Sequence, residues 1–337
     1  MPYADIISIG IAARNEEKTI AQTLLSLEKS ILVFPNHVAF EVIIAINGCT
    51  DSTESIVNRI KNQNTNERIN FVVTHSPEGL IEAHRAILAA SQSDDYVIFL
   101  DADLIIDQRC ILELASAMEK NRSLRVAWAN ILPYDHVSPV FPKLVLNFTD
   151  YFPQTLTQRK YFSGRAFATR GYNTSYGETN LNKLSPKLVA FLRLREGPLI
   201  DDVLLSRTIF YEKGPSAIKF CKEARVFFQP IGTLKDFYYS QRRTVIERYR
   251  ISILFPQLKA VPRSYYKRTP QKEYLSGLSP RIRITHRCYT LLYKMARKVA
   301  YVEFGYYRML LFLGVPLQSC RIWPALRSTK KEFIVNG

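Results

Sequence analysis

The sequence predicts an α/β protein: a doubly wound, mostly parallel sheet followed by a basic, mainly helical C-terminal region. Three observations predict it. Short runs of β-branched and aromatic residues alternate with amphipathic stretches from residue 5 to residue 131. One run, Tyr96-Val97-Ile98-Phe99-Leu100, is continuous and apolar enough for a buried parallel strand, and it delivers Asp101 and Asp103 at its carboxyl end. The formal charge of +16 is also uneven, with 21 Lys and Arg against 5 Asp and Glu from Lys235 onward and 25 against 25 before it. A neutral domain over 1–234 and a basic region over 235–337 are therefore expected.

An Ile-rich run over 5–13 is the first strand. It stops at Arg14-Asn15-Glu16-Glu17, where Asn15 is placed to cap a helix whose first turn holds Glu16, Glu17 and Lys18. Leu24, Leu25, Leu27 and Ile31 give that helix an apolar face. The second strand, 41–46, ends at the polar turn Asn47-Gly48-Cys49-Thr50-Asp51-Ser52-Thr53, which opens a helix bearing Ile56, Val57 and Ile60. A strand over 69–73, a helix over 79–90, the strand at 96–100, a helix over 111–118 and a strand over 125–131 continue the alternation. Beyond Pro133 the pattern loosens through Tyr161, resumes at 162–168, and is followed by a polar loop over 171–186. Asp201-Asp202 opens another helix, 225–229 is the last strand, and 234–254 is a basic helix. The Lys/Arg/Pro-rich stretch 256–280 reads as a linker to a second basic, aromatic-rich helix over 281–313.

Composition narrows the class. Five scattered cysteines, odd in number and without C-x-x-C spacing, argue for a reducing compartment and against a zinc site or disulfide frame. The amino terminus lacks a basic segment and carries Asp5, so it reads as a strand and not a signal peptide. Glu303 and Arg308 interrupt the apolar density around 309–317, and no transmembrane helix is predicted.

Asp101-x-Asp103 at a strand end suits a hard divalent cation, because carboxylates are the ligands Mg²⁺ and Mn²⁺ prefer; the same pair also suits a turn or a helix cap. The segments Ile11-Ala12-Ala13-Arg14-Asn15-Glu16-Glu17, Asn47 to Thr53, Asp101-Ala102-Asp103 and Asp201-Asp202-x-x-Leu205-Ser206-Arg207 occur in that order. Together they resemble a family 2 glycosyltransferase with the GT-A fold, over residues 5–250.

That resemblance implies a nucleotide-sugar donor, a divalent metal (Mn²⁺ or Mg²⁺) and a role for each matching residue. Ala12, Ala13, Arg14 and Glu16 would line the nucleotide pocket. The family usually has Pro at Ala12 and an aromatic at Arg14, although a guanidinium plane can also stack on a base. Asn47 stands where the family commonly has an Asp that accepts from the base; Asn both accepts and donates, which leaves the base open. Asn47 and Asp51 also fit plain turn chemistry. His84 and Arg85 would contact the nucleotide or form an exposed helix face. Asp101 would face the sugar or ribose and share the metal with Asp103. Gly164 and Arg165 would close over the donor sugar, or form a tight turn before a strand.

Asp201-Asp202 matches the family's Glu-Asp pair, whose second carboxylate deprotonates the acceptor hydroxyl; the first is shortened here. Two acids at a helix start also complement the macrodipole. Gln241, Arg242 and Arg243 are similar to a Gln/Arg motif that contacts acceptor and diphosphate. Processive synthases have Q-x-x-R-W where this chain has Thr244 and Val245, a departure that argues against a processive synthase. The implied reaction is an inverting transfer to a hydroxyl of a glycan or lipid-linked acceptor, with Asp202 as general base. A nucleic-acid-binding protein would explain the basic tail but not the acids at strand ends, and no nucleic acid partner is expected. A non-catalytic nucleotide-sugar scaffold would not need Asp101, Asp103 and Asp202 intact. A nucleotidyltransferase would need a Gly-rich phosphate loop near the first strand, which is absent. Basic and aromatic residues interleaved over 287–312 suit an interfacial helix on an anionic membrane surface, and also a basic face packed on the domain. The expected location is cytoplasmic, peripheral at the inner face of the membrane.

Overall fold

The computed structural model describes residues 5–134, 140–153, 162–172, 181–194, 201–266 and 270–315. Its first half is the doubly wound unit: β1 (Ile6–Ala13), α1 (Ile20–Ile31), β2 (Ala39–Asn47), α2 (Thr53–Gln63), β3 (Ile69–Ser76), α3 (Leu80–Ala90) and β4 (Tyr96–Asp101). The chain winds outward from β1 to β3, then returns over α3 to lay β4 on the other side of β1, all parallel. Gly10 permits that return: a Cβ there would lie 2.3 Å from Ile87 Cγ2 of α3.

The second half adds β5 (Leu104–Ile106), α4 (Cys110–Lys120), β6 (Val126–Pro133), α5 (Phe141–Leu146), α6 (Phe148–Tyr151), β7 (Ala166–Arg170), α7 (Pro186–Phe191), α8 (Asp201–Glu212) and β8 (Ile218–Phe228). The sheet order is β3-β2-β1-β4-β7-β6-β8-β5. β7 runs antiparallel to β4 and β6, and β5 antiparallel to β8, while β6 and β8 are parallel. The sheet is thus mixed and mostly parallel. β8 starts at Ile218, earlier than expected, because Lys219, Lys222 and Glu223 make its first half read as polar.

Both sheet faces are covered. Ile7, Ile9 and Ile11 of β1 pack with Leu24 and Leu27 of α1 and Leu114 of α4. On the other face Ile43, Val97 and Phe99 pack with Ala83 and Ile87 of α3. Each fully buried aliphatic side chain contributes about 1.5–3 kcal/mol.

The start of α1 differs from expectation. Asn15 adopts a left-handed conformation (φ 54°) instead of capping, and the helix begins at Ile20. Its inner face also carries hydroxyls: the Ser26 Oγ accepts from Ile106 N at 3.0 Å and the Ser30 Oγ from Ile111 N at 3.3 Å. These satisfy backbone donors that would otherwise be buried unpaired.

The C-terminal part comprises α9 (Leu234–Leu254), α10 (Arg263–Tyr266), α11 (Lys272–Ser276) and α12 (Pro280–Phe312). A separate core unites Leu192 beyond α7, Leu204 of α8, Ile246 and Ile251 of α9, and Phe304 of α12. The expected linker contributes Leu258 and Val261, both buried, so its start is packed. Arg250 is fully buried: Nε donates to Leu192 O (2.7 Å), Nη2 to Arg193 O (2.8 Å) and Nη1 to Glu247 Oε2 (2.6 Å). The cation thus meets two carbonyls just beyond the C-terminal end of α7. No helix among the described residues is long and apolar enough to cross a membrane.

Candidate active site

The winding reverses between β1 and β4, and open α/β sheets leave a crevice there at the strands' carboxyl ends. Ala12 of β1 pairs with Asp101 of β4 at that point. The Asp101 N–H donates to Arg165 O at 2.7 Å, which ties the end of β4 to the segment leading into β7. From α1, the Thr23 hydroxyl donates to Ala102 O (2.9 Å) and accepts from Leu104 N (3.2 Å). One side chain therefore holds the backbone between and beyond the two aspartates.

Asp101 and Asp103 converge on a single cationic atom. Arg165 Nη1 lies 3.8 Å from Asp101 Oδ2 and 3.8 Å from Asp103 Oδ1. The Asp101 side chain is 41% exposed and that of Asp103 18%, so the pair faces the crevice from partial cover. The Arg165 guanidinium rests on the Phe228 ring at the end of β8, 4.3 Å from its centroid.

Asp202, in the first turn of α8, meets the same segment that carries Arg165. Gly164 N–H donates to its Oδ2 at 3.4 Å and Val203 N–H to its Oδ1 at 2.7 Å. Gly164 and Arg165 are adjacent, so one short segment touches both Asp202 and the Asp101/Asp103 pair. Arg243 of α9 joins the cluster electrostatically. Burial pulls its guanidinium down to about 10; Asp202 opposes that, Arg165 adds to it, and Asp101 and Glu247 oppose it again. It remains charged at neutral pH.

The donor set fits a hard divalent cation. Two carboxylates already converge on one positive centre, and no cluster of three His, Cys, Asp or Glu occurs among the described residues. Mg²⁺ is typically held by one or two carboxylates, with phosphate and water completing its shell.

The expected nucleotide-pocket residues form the rim at the ends of β1, β2 and β3. Ala12 is half-buried and Ala13 buried, with Ala13 O accepting from Cys49 Sγ at 3.3 Å. Glu16 N donates to Thr53 Oγ1 (2.7 Å), and Glu16 Oε2 accepts from Thr19 Oγ1 (2.9 Å). Asp51 accepts from Thr53 N (3.0 Å), from Thr53 Oγ1 (2.5 Å) and from Glu17 N (3.2 Å). Burial raises its pKa, but these hydrogen bonds outweigh it and the net shift is downward. Arg14 pairs with Glu78 at 2.7 Å, which bridges the loops after β1 and β3. Asn47 is buried, and its amide donates to Gly79 O (2.6 Å) and Ser76 Oγ (3.0 Å) while its carbonyl accepts from Gly79 N (2.9 Å).

Other expected site residues are placed elsewhere. His84 is turned into the core against Phe99, with Nδ1 2.8 Å from the Tyr172 hydroxyl. Burial pulls its pKa from 6.5 to about 3. Arg85 pairs with Glu82 on the exposed side of α3 at 2.5 Å. Arg242 is buried and donates from Nε to both oxygens of Glu303 in α12, each at 3.0 Å. Gln241 lies part-buried on α9. Asp201 begins α8, and its side chain lies outside the described residues. Sequence reasoning missed Thr23 and Phe228. For Thr23 a signal existed, since Thr23, Ser26 and Ser30 recur at helical spacing beside Leu24, Leu27 and Ile31.

Glycosyltransferase AglD of Haloferax volcanii is 32% identical over 108 residues, which is 32% of this chain and 17% of that protein. The match thus spans less than a fifth of the relative's length. Among solved structures, glucosyl-3-phosphoglycerate synthase from Mycobacterium tuberculosis, in complex with Mn²⁺, UDP and glucosyl-3-phosphoglycerate, is 20% identical with a TM-score of 0.46, covering 79% of this chain and 86% of that one. S. aureus TarS 1-349 is 15% identical with a TM-score of 0.41, covering 86% and 80%. The model of glycosyl transferase family 2 matches residues 8–176, half of the chain, from within β1 to just past β7, and the chain belongs to that family.

Proposed function

We propose that the protein is an inverting glycosyltransferase that moves a sugar from a nucleoside diphosphate to a hydroxyl of a glycan or lipid-linked acceptor. The observation that carries this reading is the convergence of Asp101, Asp103, Arg165, Asp202 and Arg243 at the crevice where the winding reverses.

The nucleotide would lie on the rim formed by the loops after β1 and β2, with its diphosphate toward Asp101 and Asp103. A divalent cation held by Asp103 and Asp101 would neutralise charge on the leaving diphosphate. Arg165 and Arg243 are fixed cations beside the same place, one resting on Phe228 and the other pressed into the wall by α9. Such preorganised charge favours the developing anion without reorganising at the moment of reaction.

Asp202 is the proposed general base. A sugar hydroxyl is a weak nucleophile, and a carboxylate taking its proton lowers the barrier as the new bond forms. The N–H donors of Gly164 and Val203 orient this carboxylate. A single base opposite the leaving group gives one in-line displacement, hence inversion.

Asp202→Asn separates this base from a structural acid. Turnover should fall about 10²–10⁴-fold with nucleotide-sugar affinity retained, and NMR of the wild-type product should report an inverted anomeric centre. Near-wild-type turnover, or a retained configuration, contradicts the mechanism.

A further inference from the structure

α12 is 33 residues long and is apolar on two opposite sides. Its inner side packs Phe304, Tyr307 and Leu311 into the helical core. On the outer side Ile284, Leu291, Met295, Val302, Met309 and Leu313, the last just past the helix, recur at intervals of seven, four, seven, seven and four residues. At 3.6 residues per turn these share one face, and each is at least half exposed. A stripe of this length, on the order of 40 Å at 1.5 Å per residue, exceeds what a soluble monomer ordinarily leaves to water.

One flank of the stripe is basic. Arg287, Lys294, Lys298 and Arg308 are all exposed, and Arg287, Lys294 and Arg308 fall on a seven-residue repeat. Glu303, the lone acid of α12, is turned inward, where it accepts from Arg242 and from the Tyr238 hydroxyl. The outer face therefore carries positive charge with no counter-charge of its own.

That asymmetry selects the occupant. If a second copy packed on the stripe in antiparallel fashion, Arg287, Lys294 and Arg308 would meet their own equivalents; in parallel they would face Leu292, Val299 and Leu313. Neither arrangement offers an acid. A surface with dense negative charge above an apolar layer satisfies the basic flank and the stripe together. Exposed Tyr301 and Tyr306 add rings with polar tips, which suit a headgroup layer. We propose that the outer face of α12 docks on an anionic lipid bilayer. The face also divides residues that the sequence offers as one set, since Tyr289 packs on Phe148 and Phe237 and is not part of it.

This inference is independent of the sugar-transfer reading, and its test needs no turnover. The full chain is floated with vesicles of three parts phosphatidylcholine to one part phosphatidylglycerol, and with phosphatidylcholine alone. Co-flotation is expected with the anionic vesicles only, and it should weaken as salt rises. Replacing Arg287, Lys294 and Arg308 by Ser should weaken partition roughly 100-fold. Replacing Leu291, Met295 and Val302 by Gln should weaken it at least about tenfold, with thermal unfolding unchanged because these side chains face outward. Val302→Trp gives a second readout: its emission should shift to the blue on adding anionic vesicles. Absence of co-flotation, an unshifted Val302→Trp emission, or triple variants that partition like the wild type would each overturn the proposal. So would a dimer, seen by light scattering, that the Leu291/Met295/Val302 variant dissociates.

Discussion

At Asn47 one amide satisfies both polar groups of Gly79, donating to its carbonyl at 2.6 Å and accepting from its N–H at 2.9 Å. A carboxylate can do only half of this, which gives a physical reason for Asn at a position where the related pattern has Asp. Asn47→Asp sets an anion against the Gly79 carbonyl and removes the amide donor there, leaving that carbonyl only its bond from Ala83 N–H (3.0 Å). The expected loss is about 1–3 kcal/mol of stability, read as a lower midpoint in denaturant; an unchanged midpoint would show that this clamp carries no weight. His84 makes a prediction about pH. Burial holds its folded pKa at about 3, below the ordinary 6.5. The unfolded chain therefore binds the proton first, so the stability His84 contributes is fully present above pH 6.5 and is lost as pH falls toward 3. In His84→Phe the fall in stability across that window should be shallower, as followed by denaturant titration at several pH values. An identical slope would place the acid sensitivity elsewhere.

Among the elements, α1 does more than cover the sheet. Its Thr23 hydroxyl is bonded to Ala102 O and Leu104 N, so helix packing and the geometry of the two aspartates are set by one residue. Thr23→Val keeps the shape and deletes both bonds. It should cost about 1–3 kcal/mol and weaken metal-dependent nucleotide binding, measured by calorimetry, while metal-independent binding is spared. Equal weakening of both would mean that Thr23 acts on the fold in general. Much at this scale was legible in the sequence. Apolar periodicity marked β1 to β4 and the helices between them, and the acids at the end of β4 marked the crevice where the winding reverses. The directions of β5 and β7 were not legible, because an apolar run reads the same in parallel and antiparallel pairing. β5 is also only three residues long, and α7 follows a polar stretch with little pattern of its own. The charged partners escaped for another reason: Arg242 and Arg243 are neighbours in the sequence, yet a 100° step on the helix sends one to Glu303 and couples the other to Asp202.

For the molecule as a whole, α9 links the two halves. Through Arg242 it holds α12, through Arg250 it meets the carbonyls beyond α7, and through Arg243 it adds charge to the crevice at the end of β4. α9 is in this way part of the crevice wall. The central claim is that this crevice binds a nucleotide sugar with the help of a metal held by Asp103 and Asp101. Calorimetric titration of nucleoside diphosphate sugars into the wild type and Asp103→Ala, with and without Mn²⁺, tests it most directly. The account predicts that Mn²⁺ strengthens binding of at least one donor in the wild type, and that Asp103→Ala abolishes this strengthening with thermal unfolding unchanged. Mn²⁺-dependent binding that persists undiminished in Asp103→Ala would contradict it.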